Sequence, residues 1–237
     1  MQGLIWDFYS VIYYKINQKE GNKMHHGVYI GKAAAKETRI LILGESHHNI
    51  EGQGKPAFYT TSSVVETYLA EDKTEKAHRF FHKIAQAFGV DTTKSDEKEK
   101  FWDKIYFGNY IDVVCGVKDS AAKKIIKDKE KRKKYNKELF QFVNENKIDI
   151  ICCFSRLVYN HLPNRASFED KSIPFEVPKT GGKRDWIEKF IYKPGTRANG
   201  DIALDKKLTV YSLRHPSAAC GFCPEHYKGY LQKEIRL

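Results

Sequence analysis

The stretch Arg39-Ile-Leu-Ile-Leu-Gly-Glu-Ser-His-His-Asn49 decides the predicted fold of this chain. Its apolar run, Ile40 to Leu43, is typical of a strand that is buried on both faces of a sheet, and Gly44 ends the run. A group of side chains capable of chemistry follows directly. Because ligands of open α/β sheets bind outside the carboxyl ends of the strands, this stretch predicts an active site in a turn after the first strand.

Three further apolar stretches predict strands at Ile105 to Val114, Ile148 to Phe154 and Leu208 to Leu213. Helical patterns separate them, and the clearest has apolar residues at helical spacing from Ala77 to Phe88 before a glycine that suits a helix end. Strands that alternate with helices predict an α/β fold, a three-layer α/β/α sandwich with a four-stranded, mainly parallel central sheet. The length of 237 residues predicts a single domain over residues 1–237.

Local signals predict where several helices begin. Ser63 and Glu66 form a capping box, in which each side chain satisfies a free amide of the other residue, and it predicts a helix start. Ser155 can cap a short helix after the third strand, and Pro224 suits the first turn of a last helix.

The chain is strongly basic, with 41 Lys and Arg against 30 Asp and Glu and a net charge of +11. Such a charge attracts polyanions, and the segment Lys118 to Lys137 is the most basic part. DNA is the favoured partner over a membrane, because no long apolar segment or anchor accompanies the charge. The alternative is a set of solvated lysine-rich faces without a partner.

The remaining composition predicts a cytoplasmic protein, and we expect it to be a monomer. The first residues have no basic leader or apolar segment of a secretory signal, and the five cysteines do not suggest a disulfide framework in a chain of this size. No cofactor is expected.

Polar residues follow the predicted strands at several points. Asn109 lies in the second strand, where its buried amide either bridges loops or reads a ligand. The fourth strand leads into Arg214-His-Pro-Ser217. If the strands are parallel, their carboxyl ends bring Glu45, Asn109 and His215 to one edge of the sheet.

This arrangement resembles the uracil-DNA glycosylase superfamily, whose members have a Gly-Glu-Ala-Pro-Gly or similar turn after the first strand, an asparagine on the second and a His-Pro-Ser turn after the fourth. The iron–sulfur branch of the superfamily is most similar in these motifs. The resemblance implies that Glu45 activates water and that His215 stabilises the leaving base. It implies further contacts with the flipped-out base or the substrate from Gly44, Ser46, His47, His48, Glu51, Phe58 and Asn109, and with the DNA backbone from Arg214 and Ser217.

The sequence also departs from that pattern. His47 and His48 replace the proline and glycine of the first turn, which leaves the preferred base open. The cysteines that hold the iron–sulfur cluster in that branch are not matched, so we predict no cluster and no metal. A zinc site that uses Cys220 and Cys223 is an alternative with weak support.

Two other functions remain open from the sequence. Gly44-Glu-Ser46 also resembles the Gly-Asp-Ser block of a group of esterases and lipases, in which Ser46 would be the nucleophile, Asn109 with Gly108 the oxyanion donor and His215 the base. That group orients its histidine with an aspartate three residues earlier, where this chain has Ser212. The second of these hypotheses is a catalytically inactive nucleic-acid-binding protein that has the glycosylase fold.

Overall fold

The computed structural model describes residues 27–36, 38–48, 61–70, 78–115, 120–163, 168–171, 187–199, 202–216, 222–235 and 237. The strands are β1 (Tyr29–Ile30), β2 (Ile40–His48), β3 (Ile105–Cys115), β4 (Ile150–Cys153), β5 (Phe168–Lys171), β6 (Ile187–Tyr192), β7 (Arg197–Ala198), β8 (Ile202–Ala203) and β9 (Leu208–Leu213). The helices are α1 (Thr61–Ala70), α2 (Arg79–Ala87), α3 (Ser95–Trp102), α4 (Ser120–Lys127), α5 (Lys129–Glu145), α6 (Arg156–Tyr159) and α7 (Pro224–Glu234).

The central sheet has the strand order β1-β3-β2-β4-β9-β6-β5. The four predicted strands, β2, β3, β4 and β9, run parallel and form its middle. The prediction of a four-stranded sheet is wrong in number, because β1, β5 and β6 join as antiparallel strands. The strand β6 pairs with β9 along its whole length and so extends the sheet beyond the four parallel strands. The fold is therefore α/β with a mostly parallel sheet of seven strands.

The first predicted strand is longer than its apolar run. β2 continues through the polar residues to His48, so the predicted turn after Gly44 is wrong. Hydrogen bonding to β3 explains the extension, because Gly44 pairs with Asn109 and Ser46 with Ile111. The pairing then shifts, since the next partner of β2 is Val114, and the candidate site lies at this irregularity.

Alternate side chains of the sheet pack into two apolar cores, one on each face. On the first face, Leu41 and Leu43 pack with side chains of α4, α5 and α6. On the second face, Ile40 and Ile42 pack with side chains of α1, α2, α3 and α7. All four β2 side chains are fully buried, which explains why this strand reads as an unbroken apolar run.

The helix ends agree with the local signals in most places. Gly89 has a φ of 87° just after α2, Ser155 accepts the amide of Val158 at 3.2 Å, and Pro224 opens α7. The capping-box prediction is wrong, because α1 begins at Thr61 and Ser63 lies inside it. In the described ranges, no helix combines the length and apolar character that a membrane crossing needs.

Candidate functional site

The carboxyl ends of β2, β3, β4 and β9 lie at one edge of the sheet, because these four strands are parallel neighbours. Glu45 and Asn109 lie within β2 and β3, just beyond the level at which β4 ends, and His215 follows β9, so the three share that edge, as their sequence positions predict. β4 lies between β2 and β9, so those two strands are separated by about 10 Å. Glu45 and His215 therefore belong to strands that are not direct neighbours.

Gly44 and Asn109 form the most constrained contact of the site. They are paired neighbours on β2 and β3, and a Cβ atom on Gly44 would overlap the Oδ1 atom of Asn109. The Asn109 side chain is 9% exposed and lies directly above the Gly44 backbone. A glycine is required here because the amide of Asn109 occupies the space of a side chain.

Glu45 is held by Ser155, which lies two residues after the end of β4. The Ser155 hydroxyl donates a hydrogen bond of 2.7 Å to Glu45 Oε2, and the same oxygen atom of Ser155 accepts the amide of Val158. Ser155 is 1% exposed, so this serine both caps α6 and fixes one oxygen of the carboxylate. Glu45 is half-buried, so solvent still reaches part of this residue.

Two thiols border Glu45. Burial raises the pKa of Cys153 to about 12, and the Glu45 charge acts in the same direction. Burial also raises the pKa of Cys115, again with a contribution from Glu45. Both thiols therefore stay protonated near neutral pH, and neither is suited to act as a thiolate nucleophile.

Ser46 does not have the surroundings of an activated nucleophile. Its buried hydroxyl lies close enough to the Cys115 thiol to act on the pKa of that thiol, but it forms no hydrogen bond of good geometry with a described residue. A serine nucleophile needs a base within hydrogen-bond reach, and a bond from Ser46 to His215 is not formed. The catalytic pair of the esterase hypothesis is thus not assembled in this conformation.

His215 lies against an aromatic wall on the second face of the sheet. Its ring centre is 5.3 Å from that of Phe80, which is 6.0 Å from that of Phe107. Lys83, one turn after Phe80 on α2, donates a hydrogen bond of 3.0 Å to the carbonyl of Pro216. The helix α2 therefore fixes the segment that carries His215.

The other predicted site residues are only partly described. Arg214 is half-buried at the end of β9. His47 and His48 belong to β2, with their side chains outside the described part of the molecule. Glu51, Phe58 and Ser217 lie outside the described residues, as does Cys220 of the alternative zinc site.

Sequence reasoning did not assign Ser155, Phe80 and Lys83 to the site. Ser155 had a usable signal, since it is the first polar residue after the third parallel strand. Phe80 lies in an apolar helical pattern and gave no signal to separate it from its buried neighbour Phe81.

Within the described ranges, no three His, Cys, Asp or Glu side chains are arranged to hold a metal ion. The chain matches no protein-family model and no functionally curated protein.

Proposed function

We propose that this protein is a DNA glycosylase of the uracil-DNA glycosylase type, which hydrolyses the N-glycosidic bond of uracil or a related deaminated base. The observation that carries the proposal is the position of Glu45, Asn109 and His215 at one edge of the sheet, beyond the level at which β4 ends, on or after three parallel strands. A carboxylate, an amide and an imidazole supply the three interactions that this reaction needs.

Recognition of the base would fall to Asn109. An amide offers a donor and an acceptor together, which matches the adjacent N–H and carbonyl of a uracil edge. Because Asn109 is buried and held above Gly44, the amide is already in place before a ligand arrives. Phe80 would supply an apolar ring beside His215, and such a ring helps to offset the cost of unstacking a base.

Glu45 and His215 would carry the chemistry. The bond between C1′ of the deoxyribose and the base nitrogen breaks, and the base leaves with the electron pair. Glu45 orients a water towards C1′ and accepts its proton, while His215 donates a hydrogen bond to the anionic base. The products are the free base and an abasic site. Ser155 would hold one Glu45 oxygen so that the other faces the water.

The two remaining hypotheses are less well supported. The esterase needs a Ser46–His215 contact, which is not formed. A DNA-binding protein without activity would use neither the fixed carboxylate at Glu45 nor the preformed amide of Asn109.

An oligonucleotide assay tests the proposal. Single- and double-stranded DNA with one uracil or one hypoxanthine is incubated with the protein and then treated with alkali, which cleaves at abasic sites. We expect cleavage at the lesion with at least one substrate, and none in undamaged DNA. No cleavage on any substrate would overturn the proposal, and hydrolysis of a nitrophenyl ester that Ser46→Ala abolishes would establish the esterase instead.

A further inference from the structure

The helices on the two faces of the sheet differ sharply in charge. The first-face helices α4, α5 and α6 carry ten Lys and Arg but three Asp and Glu, whereas the second-face helices α1, α2, α3 and α7 carry six of each. Most of the surplus lies in the last residues of α4 and the first half of α5. The side chains of Lys123, Lys124, Lys127, Lys129, Lys131, Lys133 and Lys134 are all exposed.

Contacts between α5 and β3 define which end of the molecule carries this charge. Near the start of β3, the Tyr106 ring centre lies 6.2 Å from that of Phe142. Further along β3, Tyr110 lies 5.7 Å from Tyr135 between ring centres and donates a hydrogen bond of 2.7 Å to Asn136. The helix therefore runs antiparallel to the strand.

Tyr110 follows the candidate site residue Asn109 directly, so Tyr135 is level with the site. The helix residues that precede Tyr135 extend further towards the carboxyl edge of the sheet. Five of the six residues from Lys129 to Lys134 are basic. With a rise of about 1.5 Å per residue, these six residues form a little more than one and a half turns and are about 9 Å long.

The acidic residues within the basic stretch are engaged in local contacts. Asp128 caps α5 by accepting the amides of Glu130 and Lys131, and Glu130 pairs with Lys133 at 2.8 Å. They do not form an opposing acidic surface. The α4–α5 junction is consequently an exposed positive ridge at the same end of the molecule as Glu45 and Asn109.

We propose that this ridge, formed by the end of α4 and the first half of α5, binds the phosphate backbone of nucleic acid. A strand held at the candidate site would continue over the first face of the sheet and contact the lysines beyond the damaged base. The choice of nucleic acid as the polyanion rests on the proposed function. The evidence for an anion-binding surface is the charge of the ridge and its position near the candidate site. The contacts are independent of base sequence, because lysine ammonium groups recognise phosphates as point charges.

A pair of matched triple variants tests the ridge. The first combines Lys127→Gln, Lys129→Gln and Lys131→Gln. The control combines Lys100→Gln, Lys228→Gln and Lys233→Gln, three exposed lysines on second-face helices, and changes the net charge by the same amount. Binding of the full chain to labelled, undamaged DNA is measured by fluorescence anisotropy over a range of salt concentrations, and thermal unfolding checks that both variants fold.

We expect the ridge variant to bind DNA roughly tenfold more weakly and the slope of log affinity against log salt to fall by about 2 to 3, because each lysine releases about one counterion. The control should retain the slope of the unmodified protein. Equal losses in both variants would overturn the ridge, because net charge alone would then explain them. Binding to phosphatidylserine vesicles without binding to DNA would overturn it also.

The two proposals fail in different ways. Uracil excision with an unchanged salt slope in the ridge variant would overturn the ridge alone. If the salt dependence of DNA binding depends on the ridge lysines but no base is excised, the glycosylase proposal is overturned and the ridge proposal is supported.

Discussion

The two faces of the sheet have similar interiors and different surfaces. Each face buries an aromatic-rich core under its helices. On the surface, the first-face helices have more than three basic residues for each acidic one, while the second-face helices are balanced. The need to bury apolar side chains explains the cores on both faces. It does not explain the excess of positive charge on the first-face helices.

The candidate site draws on both faces. Asn109, Phe80 and His215 belong to the second face, where aromatic side chains surround them. Glu45 contacts Ser155 and lies close to Cys153, whose side chain belongs to the first-face core. In the proposed enzyme, the neutral face holds the base, and the basic face supplies the carboxylate and the backbone contacts.

Because both faces bury a similar core, truncating one buried phenylalanine on each face should cause a similar loss of stability. Phe81→Ala on the second face and Phe140→Ala on the first remove buried rings that are 5% and 0% exposed. Each variant should lower the free energy of unfolding by about 3–5 kcal/mol, because each leaves a cavity that the core cannot fill. Urea denaturation measures both. A loss below about 1 kcal/mol in one variant would mean that its face is not a packed core.

Gly44→Ala tests the contact between Gly44 and Asn109 on the second face. The new methyl group would displace the Asn109 amide, and we expect a loss of about 1–3 kcal/mol in stability and roughly 100-fold in excision rate. Gly229→Ala is the matched control, because nothing lies within 4 Å of the added Cβ in α7. It should raise stability by about 0.5–1 kcal/mol and leave excision unchanged. Full excision by Gly44→Ala would remove Asn109 from the site.

Ser155→Ala removes the donor that links Glu45 to the start of α6. The lost helix cap should cost about 1 kcal/mol, measured by thermal unfolding. If Ser155 positions Glu45, kcat for excision should also fall by about tenfold with KM unchanged, and Ser155→Thr should restore most of it. A stability loss without a change in kcat would reduce Ser155 to a helix cap.

The smallest predicted effects on stability come from removing one ion pair on each face. The hydrogen bond and charge of Lys189, with a hydrogen bond from Tyr211, lower the pKa of Glu234 below its usual value. Glu234→Gln should therefore cost about 0.5–1 kcal/mol at neutral pH. Because the folded pKa is depressed, this stabilisation exists above the ordinary value of 4.5 and is lost as the pH falls through the folded pKa.

Glu130→Gln is the counterpart on the first face, where the Glu130 side chain is 78% exposed and pairs with Lys133. It should change stability by about 0.3 kcal/mol or less at any pH. The comparison is made by chemical unfolding at several pH values. A pH-independent loss in Glu234→Gln would show that the contact acts by packing and not by charge.

The parallel middle of the sheet followed from the sequence because strands buried on both faces leave continuous apolar runs such as Ile40 to Leu43. The outer antiparallel strands could not be predicted in this way, since β1 has two residues and β6 includes two charged residues after Ile187 that interrupt any apolar run. The extension of β2 to His48 was missed because backbone pairing with β3, and not side-chain pattern, continues the strand through polar residues.

The sequence predicts those residues of the site that lie next to apolar strand patterns. Glu45, Asn109 and His215 each follow or interrupt an apolar run, so parallel pairing brings them to one edge. The contacts of Glu45 with Ser155, and of Phe80 with His215, depend on how a loop and a helix pack across the sheet. The spacing of residues within one segment does not predict contacts of this kind between distant segments.

The most direct test of the central claim is a single-turnover excision experiment with two variants of adjacent residues. With uracil-containing DNA and excess protein, the account predicts that Glu45→Gln lowers the rate of abasic-site formation by about 10²–10⁴ while Ser46→Ala retains most of it. Both variants should bind the DNA as the unmodified protein does. Excision that survives Glu45→Gln but is lost in Ser46→Ala would contradict the account and assign the chemistry to the serine.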